Sequence, residues 1–378
     1  MTKFVLRGSP PFAEHDYRSR ISRVVGQVAE AGLDGLLVAP GPDLRWLLGH
    51  RAVSADGLFT MLVLRPGTPP VLLVPEQDRA AAKATPGASC CEIVAWDGET
   101  GPYDGTARFL PAGGRYGISD SAWSVHVLGL QAAVPRSTYW ALGEVLPLLR
   151  AVKDEAEVGC LSAAGAAVDA VYREIAGLRF TGKREHEIAA ALADLLREFG
   201  HERVEVTTVG AGPNGAKPHH EPGAREIGPG DVVVLGFGGL LCGYGSATTR
   251  TVVVGEPSAE ARVAHEVVRA AQRAAFEAVT PGLPCAELDR VARAVVEEAG
   301  YGPYAGRRTG HGIGVSTAEP PYLVAGECQP LLPGMCLSLG LGIHLPDRFG
   351  ARVEDVVLVT EHGGESLNST NRGLLVVG

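Results

Sequence analysis

The chain has 378 residues, a formal net charge of −9 and a hydrophobic fraction of 46%. This length suits two domains of about 150 residues or more, and the acidic balance excludes a broad basic surface for nucleic acid or anionic lipid. No apolar run approaches the ~18 residues that a membrane-spanning helix needs. Seven scattered cysteines without a Cys-x-x-Cys pair are typical of reduced thiols. We therefore expect a cytoplasmic protein with no nucleic-acid partner and no membrane partner.

The first 149 residues alternate helix and strand patterns. Apolar residues at helical spacing predict a helix over residues 18–31, and a buried strand is predicted over 33–38. Two apolar runs at 61–64 and 71–74, joined by Arg-Pro-Gly, predict a β-hairpin, and a further strand is predicted at 114–118. This pattern indicates a small α/β domain that ends near residue 150.

The second part of the chain, residues 150–378, contains long Ala-rich helices and Gly-rich strands. The helices are predicted at about 154–177, 184–198, 258–279 and 285–298. Two of them end in the same Glu-x-Gly sequence, and Pro229-Gly230 is matched by Pro333-Gly334 before a second apolar run. An internal repeat of this kind predicts two similar halves with a ligand pocket between them.

A G-x-G-x-x-G sequence occupies residues 210–215 after a predicted strand. A dinucleotide site requires a helix N-terminus directly after such a sequence. Pro213 and Pro218 break any helix here, so the motif is interpreted as a turn and no cofactor is expected.

Three segments carry candidate catalytic side chains. His219 and His220 stand between prolines in a rigid, non-helical segment, and His311 is flanked by glycines that allow a close backbone approach to a ligand. Arg352 and Glu354 share one face of a predicted strand. Each signal alone is also compatible with a solvated or packed side chain.

Taken together and in order, these motifs resemble the pita-bread family, also called the M24 peptidase group, in its prolidase and creatinase branch. The resemblance rests on Pro218-His219-His220, Gly243-Tyr244-Gly245-Ser246, Thr249-Arg250-Thr251, Thr309-Gly310-His311-Gly312, Pro333-Gly334-Met335 and Arg352-Val353-Glu354-Asp355. It implies an α+β protein, with an N-terminal creatinase-like α/β domain at 1–149. A C-terminal pita-bread domain with an internal pseudo-twofold repeat would follow at 150–378.

The resemblance also implies where metals would bind. Peptidases of that family hold two divalent ions with two Asp, one His and two Glu. The corresponding positions here are Gly236, Ala247, His311, Gly340 and Glu354, so three carry no donor atom. One carboxylate and one imidazole cannot neutralise two divalent ions. We therefore expect neither a metal nor another cofactor.

Within this family, creatinase is a metal-independent enzyme, and the sequence is interpreted in the same way. We expect a hydrolase or lyase that acts on a C–N bond of a small metabolite by acid–base chemistry. The resemblance assigns catalysis to His219, His311 and Glu354. It assigns substrate contacts to a further six residues, which are His50, Arg51, His220, Tyr244, His344 and Arg352.

Two alternatives stay open at this point. His219, His311 and Glu354 form a two-His, one-carboxylate set that suits a single metal ion. The fold also occurs in binding modules without chemistry. Members of this branch are homodimers in which the N-terminal domain reaches the partner's site, so a homodimer is expected.

Overall fold

A computed structural model describes residues 12–50, 58–99 and 101–378. These residues form two compact units, one that runs up to Arg150 and one that begins at Ala151. Within the described ranges, no helix combines the length and the apolar character that crossing a membrane requires.

The first unit is a six-stranded sheet with helices. Its helices are α1 (Glu14–Glu30), α2 (Pro42–Leu48), α3 (Arg79–Lys83), α4 (Pro102–Ala107), α5 (Ser124–Ala133) and α6 (Leu142–Val145). Its strands are β1 (Gly35–Val38), β2 (Met61–Leu64), β3 (Val71–Pro75), β4 (Glu92–Trp96), β5 (Arg115–Ile118) and β6 (Thr138–Ala141). The strand order is β4-β3-β2-β1-β5-β6, which is an α/β arrangement.

The apolar patterns of this unit fold as predicted. The buried side of α1 includes Ile21, Val24 and Val28, which follow the helical period that the sequence shows. Strands β2 and β3 pair antiparallel with Met61 opposite Leu73, so the predicted hairpin is confirmed. Strand β1 is buried along its whole length, because it lies inside the sheet with β2 on one side and β5 on the other.

The second unit contains four long helices and eleven strands. The helices are α7 (Glu155–Ala176), α8 (Glu185–Glu198), α9 (Ala259–Ala278) and α10 (Cys285–Glu298). The first strands are β7 (Arg203–Ala211), β8 (Val232–Leu241), β9 (Tyr244–Val254), β10 (Gly310–Gly312), β11 (Glu319–Leu323) and β12 (Cys336–Leu339). The remaining strands are β13 (Gly342–Leu345), β14 (Phe349–Arg352), β15 (Asp355–Thr360), β16 (Gly363–Ser366) and β17 (Leu375–Val377).

Two similar halves make up this unit. In each half, a pair of long helices precedes a set of antiparallel strands, which belong to the sheets β17-β9-β8-β7 and β11-β10-β12-β15-β16. The repeated Pro-Gly pairs enter β8 and β12, and Gly230 and Gly334 have φ values of 87° and 90°. Only glycine adopts this conformation without strain, which explains why the same turn residue recurs in both halves.

Helices α7 and α8 pack on the first of these sheets. Their apolar faces meet a cluster that includes Val168, Ile188, Leu192, Leu235 and Val252, all at most 2% exposed. A packed core of this kind fixes the strands, and the strands in turn fix the side chains that project from their other face.

Candidate functional site

A cross-strand row on the β7–β8–β9 sheet forms one wall of the site. Thr208 lies opposite Gly236, and Gly236 lies opposite Thr249. Thr249 is in turn bridged to Glu354 through their main chains. Residues directly opposite in antiparallel strands present their side chains on the same face, so Gly236 leaves space between two threonine side chains.

Glu354 lies at the centre of the site with its carboxylate bonded on both oxygens. The hydroxyl of Ser338 donates to Oε1 at 2.5 Å, the hydroxyl of Thr249 donates to Oε2 at 2.6 Å, and the Arg352 guanidinium lies 3.4 Å from Oε2. Burial raises the pKa of the Glu354 carboxyl, but the charges of Arg352 and His311 and the two hydroxyl bonds outweigh burial and hold it below its usual range. The side chain is therefore a carboxylate near neutral pH.

His311 belongs to strand β10, next to the strand whose Ser338 binds the same carboxylate. It lies opposite Ser338 of β12 on one side and opposite Tyr322 of β11 on the other. Its Nδ1 is 3.0 Å from the carbonyl oxygen of Gly312, and only a protonated Nδ1 can bond a carbonyl. Whenever the ring is neutral, its lone pair is therefore on Nε2, which is the atom that can exchange a proton with a ligand.

The β13–β14 ribbon supplies a third side of the site. Arg352 lies opposite Gly342, and a Cβ atom at position 342 would come within 2.6 Å of Arg352 Cγ and 3.1 Å of His344 Nε2. The arginine side chain thus lies across the glycine toward His344. Burial and the charges of Arg352 and His219 lower the pKa of His344 to about 4, although a carbonyl at Ala216 opposes this. His344 is therefore a neutral ring above that pH.

The structure brings together five of the residues singled out from the sequence. They form a series in the order His311, Glu354, Arg352, His344 and His219. His311 lies opposite Ser338, whose hydroxyl binds Glu354. Arg352 lies near Glu354 and extends over Gly342 toward His344, and the charge of His219 acts on His344. His219 is the exposed member of the series. This group is called the His–Glu–Arg cluster below.

The other candidates lie elsewhere. The His220 ring donates through Nε2 to Glu185 Oε2 at 2.7 Å. The Tyr244 hydroxyl donates to buried Glu157 at 2.8 Å. His50 belongs to the first unit, where its Nδ1 is 2.8 Å from the Thr85 hydroxyl. Arg51 falls outside the described residues.

Arg250 supports the cluster from behind and was not singled out from the sequence as a site residue. It is 1% exposed and donates to the Glu354 carbonyl at 2.8 Å and to Asp355 Oδ1 at 2.5 Å. It also donates to the carbonyl of Asn371 at 3.1 Å. Its position in Thr-Arg-Thr was visible in the sequence, but nothing there indicated these three partners.

The donor set does not fit the two-ion centre that the resemblance implies. Gly236, Ala247 and Gly340 have no side-chain ligand atom, and both oxygens of Glu354 already accept hydrogen bonds. Within the parts of the chain that are described, no three His, Cys, Asp or Glu side chains are grouped so as to hold a metal ion. The alternative of a single ion on His219, His311 and Glu354 is therefore not supported either.

Known proteins resemble this chain over nearly its whole length. Residues 159–361 match the metallopeptidase family M24, and residues 20–152 match the creatinase/prolidase N-terminal domain. The probable dipeptidase PepE of Mycobacterium tuberculosis is 39% identical over 375 residues, which cover 98% of this chain and 99% of that protein.

Solved structures agree with this result. The dipeptidase PepE from Mycobacterium ulcerans superimposes with a TM-score of 0.92 at 38% identity and covers 98% of this chain and 100% of that chain. A prolidase from Thermococcus sibiricus superimposes with a TM-score of 0.90 at 32% identity, covering 96% and 99% of the two chains.

These relatives overturn the function expected from the sequence. Metal-independent, creatinase-like action was inferred from the lost ligands, whereas the relatives are named as dipeptidases and prolidases and the matching family is one of metallopeptidases. That expectation is wrong, and the names do not support a binding module without chemistry. With an α+β architecture of a creatinase-like N-terminal domain and a pita-bread domain, the chain belongs to metallopeptidase family M24, in its prolidase branch.

Proposed function

We propose that this chain is a hydrolase of short peptides, with dipeptides as the substrate class, and that the His–Glu–Arg cluster binds the substrate. The observation that carries the proposal is the Arg352 guanidinium 3.4 Å from the Glu354 carboxylate, on a wall that also holds His311 opposite the Ser338 that binds this carboxylate. Support for the substrate class comes from the relatives that span the whole chain, which are named as dipeptidases.

Arg352 is the group proposed to hold the free carboxylate of the dipeptide. Its side chain is 31% exposed, so part of it faces solvent while one nitrogen stays near Glu354. Arginine pairs with carboxylates through two parallel hydrogen bonds. His219, the exposed imidazole whose charge acts on His344, would bind the same end of the substrate.

His311 is proposed to move the proton during cleavage. With Nδ1 engaged by the Gly312 carbonyl, Nε2 would take a proton from the attacking water and give it to the departing amine. Glu354 would stabilise the imidazolium that exists between these two steps, since opposite charges attract more strongly where water is excluded.

The test is hydrolysis of a dipeptide panel by the purified chain. The protein would be incubated with Ala-Pro, Leu-Pro, Gly-Pro or Ala-Leu, either with a chelator or with added Mn²⁺, Co²⁺ or Zn²⁺. The free amino acids that are released would be measured by chromatography. General acid–base catalysis contributes about 10²–10⁴-fold, so His311→Ala is expected to lower kcat/KM by at least ~100-fold. His362→Ala removes an exposed histidine in the turn between β15 and β16 and should have no effect.

A second measurement isolates the role of Arg352. Arg352→Met should raise KM for Ala-Pro by about 10- to 100-fold, since a hydrogen bond to a charged group contributes roughly 1.5–3 kcal/mol. It should leave KM for the amidated peptide Ala-Pro-NH₂ unchanged. Equal effects on both peptides would contradict the carboxylate assignment. Calorimetric binding of the dipeptides without turnover under any metal condition would refute the hydrolase.

The assembly and the compartment are also proposed. We propose a homodimer in the cytoplasm, in which the N-terminal unit of each copy contributes His50 and Arg51 near the partner's site. The seven cysteines are free thiols, which supports a reducing compartment. Light scattering should give twice the chain mass of 39.4 kDa, and a monomer mass would refute the dimer.

A further inference from the structure

One buried carboxylate closes the loop that carries His219. Glu185, the first residue of α8, has a fully buried side chain that accepts four hydrogen bonds. Its Oε1 accepts from the Ala211 amide at 2.8 Å and from Asn214 Nδ2 at 3.0 Å. Its Oε2 accepts from His220 Nε2 at 2.7 Å and from the Gly223 amide at 3.1 Å.

The division between the two oxygens follows the course of the chain. Oε1 binds the end of β7 and the start of the segment 212–223, whereas Oε2 binds the end of that segment. Main-chain bonds to the same helix end reinforce the second anchor, because the Glu185 amide donates to Arg225 and the His186 amide donates to Gly223, both at 3.1 Å. The carboxylate thus joins both ends of the loop, and its hydrogen bonds offset the conformational entropy that is lost when the loop closes.

His219 lies between the two anchors. It follows Pro218 and precedes His220, whose ring is fixed by Glu185, so the main chain at 219 is held on both sides. The imidazole of His219 is exposed and acts electrostatically on His344. The segment that carries it also lies against the strand next to His344, because a Cβ atom at Gly350, which is opposite His344, would overlap the carbonyl oxygen of Gly215. His344 belongs to the His–Glu–Arg cluster.

We infer that Glu185 is a positioning residue, which holds His219 at the cluster by tying both ends of segment 212–223 to one carboxylate. This inference rests on the proposed function, because it assigns His219 to substrate binding. Burial opposes ionisation of Glu185, yet its four hydrogen bonds keep its pKa below the usual range. An ionised carboxylate has acceptor capacity for all four donors.

Glu185→Gln separates this role from simple space filling. Glutamine has the same shape, but it offers one acceptor oxygen and a donor NH₂ group, so one end of the loop must face a donor. The matched control is Glu187→Gln, which removes another carboxylate of the same helix turn that accepts from the Arg184 amide and does not touch the loop.

Hydrogen exchange measured by mass spectrometry reports on the loop directly. Because a hydrogen bond to a charged group stabilises by an amount equivalent to about 10- to 100-fold, exchange in segment 212–223 should accelerate at least tenfold in Glu185→Gln and not in Glu187→Gln. Unchanged exchange in this segment would overturn the inference. His220→Ala deletes one donor of four and should accelerate only the end of the segment near Gly223.

A double-mutant cycle tests whether the effect passes through His219. With Ala-Pro as substrate, Glu185→Gln should lower kcat/KM by roughly tenfold or more, and by nothing further in a His219→Ala background. An equal loss in both backgrounds would overturn the positioning role. If the wild-type chain hydrolyses no dipeptide, the proposed function fails, and the exchange measurement still decides whether Glu185 holds the loop.

Discussion

Two glycines of the site provide a contrasting pair for a stability experiment. A Cβ atom at Gly340 would overlap the carbonyl oxygen of Val353 and lie 2.8 Å from Glu354 Cα and 2.9 Å from Glu354 Cβ. A Cβ atom at Gly236 would have Thr249 Oγ1 as its nearest neighbour at 3.5 Å, which is an ordinary contact. Gly340→Ala must therefore move the main chain at 353–354, and Gly236→Ala need move nothing.

The expected magnitudes follow from these distances. Overpacking that shifts the main chain costs about 1–3 kcal/mol, and for a unit of roughly 150–250 residues each kcal/mol lowers Tm by about 2–4 °C. Gly340→Ala should therefore lower Tm of the unit that begins at Ala151 by roughly 2–12 °C. Gly236→Ala should stay within about 0.5 kcal/mol of wild type, or gain slightly from a less flexible unfolded chain.

The assay is thermal unfolding followed by circular dichroism at one pH and protein concentration. Equal Tm values for the two variants would refute the steric reasoning, as would a larger loss for Gly236→Ala. The same geometry limits restoration of the absent acidic side chains. An Asp side chain at 236 has room, whereas Glu at 340 requires the strands to separate first.

Three further outcomes are expected. Lys153 Nζ lies 2.5 Å from Glu319 Oε1, and both side chains are at most 3% exposed. Lys153→Met should lower the free energy of unfolding measured in urea by about 3–5 kcal/mol. A smaller loss than in the double variant Lys153→Met/Glu319→Leu would contradict the pairing. Burial lowers the pKa of His265 to about 4. Between pH 6.5 and 4 the unfolded chain therefore binds one more proton than the folded chain, and the free energy of unfolding decreases as the pH falls through that window, by at most about 1.4 kcal/mol per pH unit. His265→Gln should remove that part of the slope in denaturant titrations at successive pH values, and an unaltered slope would refute the assignment. Asp169 accepts hydrogen bonds from the Ser369 amide at 2.5 Å and from Asn368 Nδ2 at 3.1 Å. Asp169→Ala should therefore make the segment 368–370 susceptible to limited proteolysis. Resistance equal to that of wild type would show that other contacts hold the segment.

The elements of the second unit could be predicted closely from the sequence because their signals are local. Helix α10 occupies Cys285–Glu298, the range that apolar spacing and the Glu-x-Gly ending predict. The turn at 210–215 was also predicted, and residues Gly212–Ala216 form a 3-10 turn without a following helix. Local sequence decides such features.

The orientation of neighbouring side chains could not be predicted, because distant residues decide it. His219 and His220 have nearly the same local sequence context, and only Glu185, 35 positions before His220, turns the second ring inward. Tyr244 was likewise assigned to the substrate, but Glu157, 87 positions away in sequence, accepts its hydroxyl. His311, Glu354 and Arg352 were found because a recognisable motif carries each of them.

The function was mispredicted for a different reason. The chain does lack metal-binding side chains at Gly236, Ala247 and Gly340. Their absence shows which groups the site does not contain, but it does not show which substrate the site accepts. The whole-length relatives bear on that second question only through their names, which are those of dipeptidases.

The environment of Arg250 determines how this site could be re-engineered. One guanidinium connects the main chain of Glu354, the side chain of Asp355 and the segment at Thr370 and Asn371. If a mutant library made to change substrate preference randomised this arginine, most of its variants would fail to fold. Diversity placed at Thr208, which borders the space at Gly236, would instead be detected as altered selectivity.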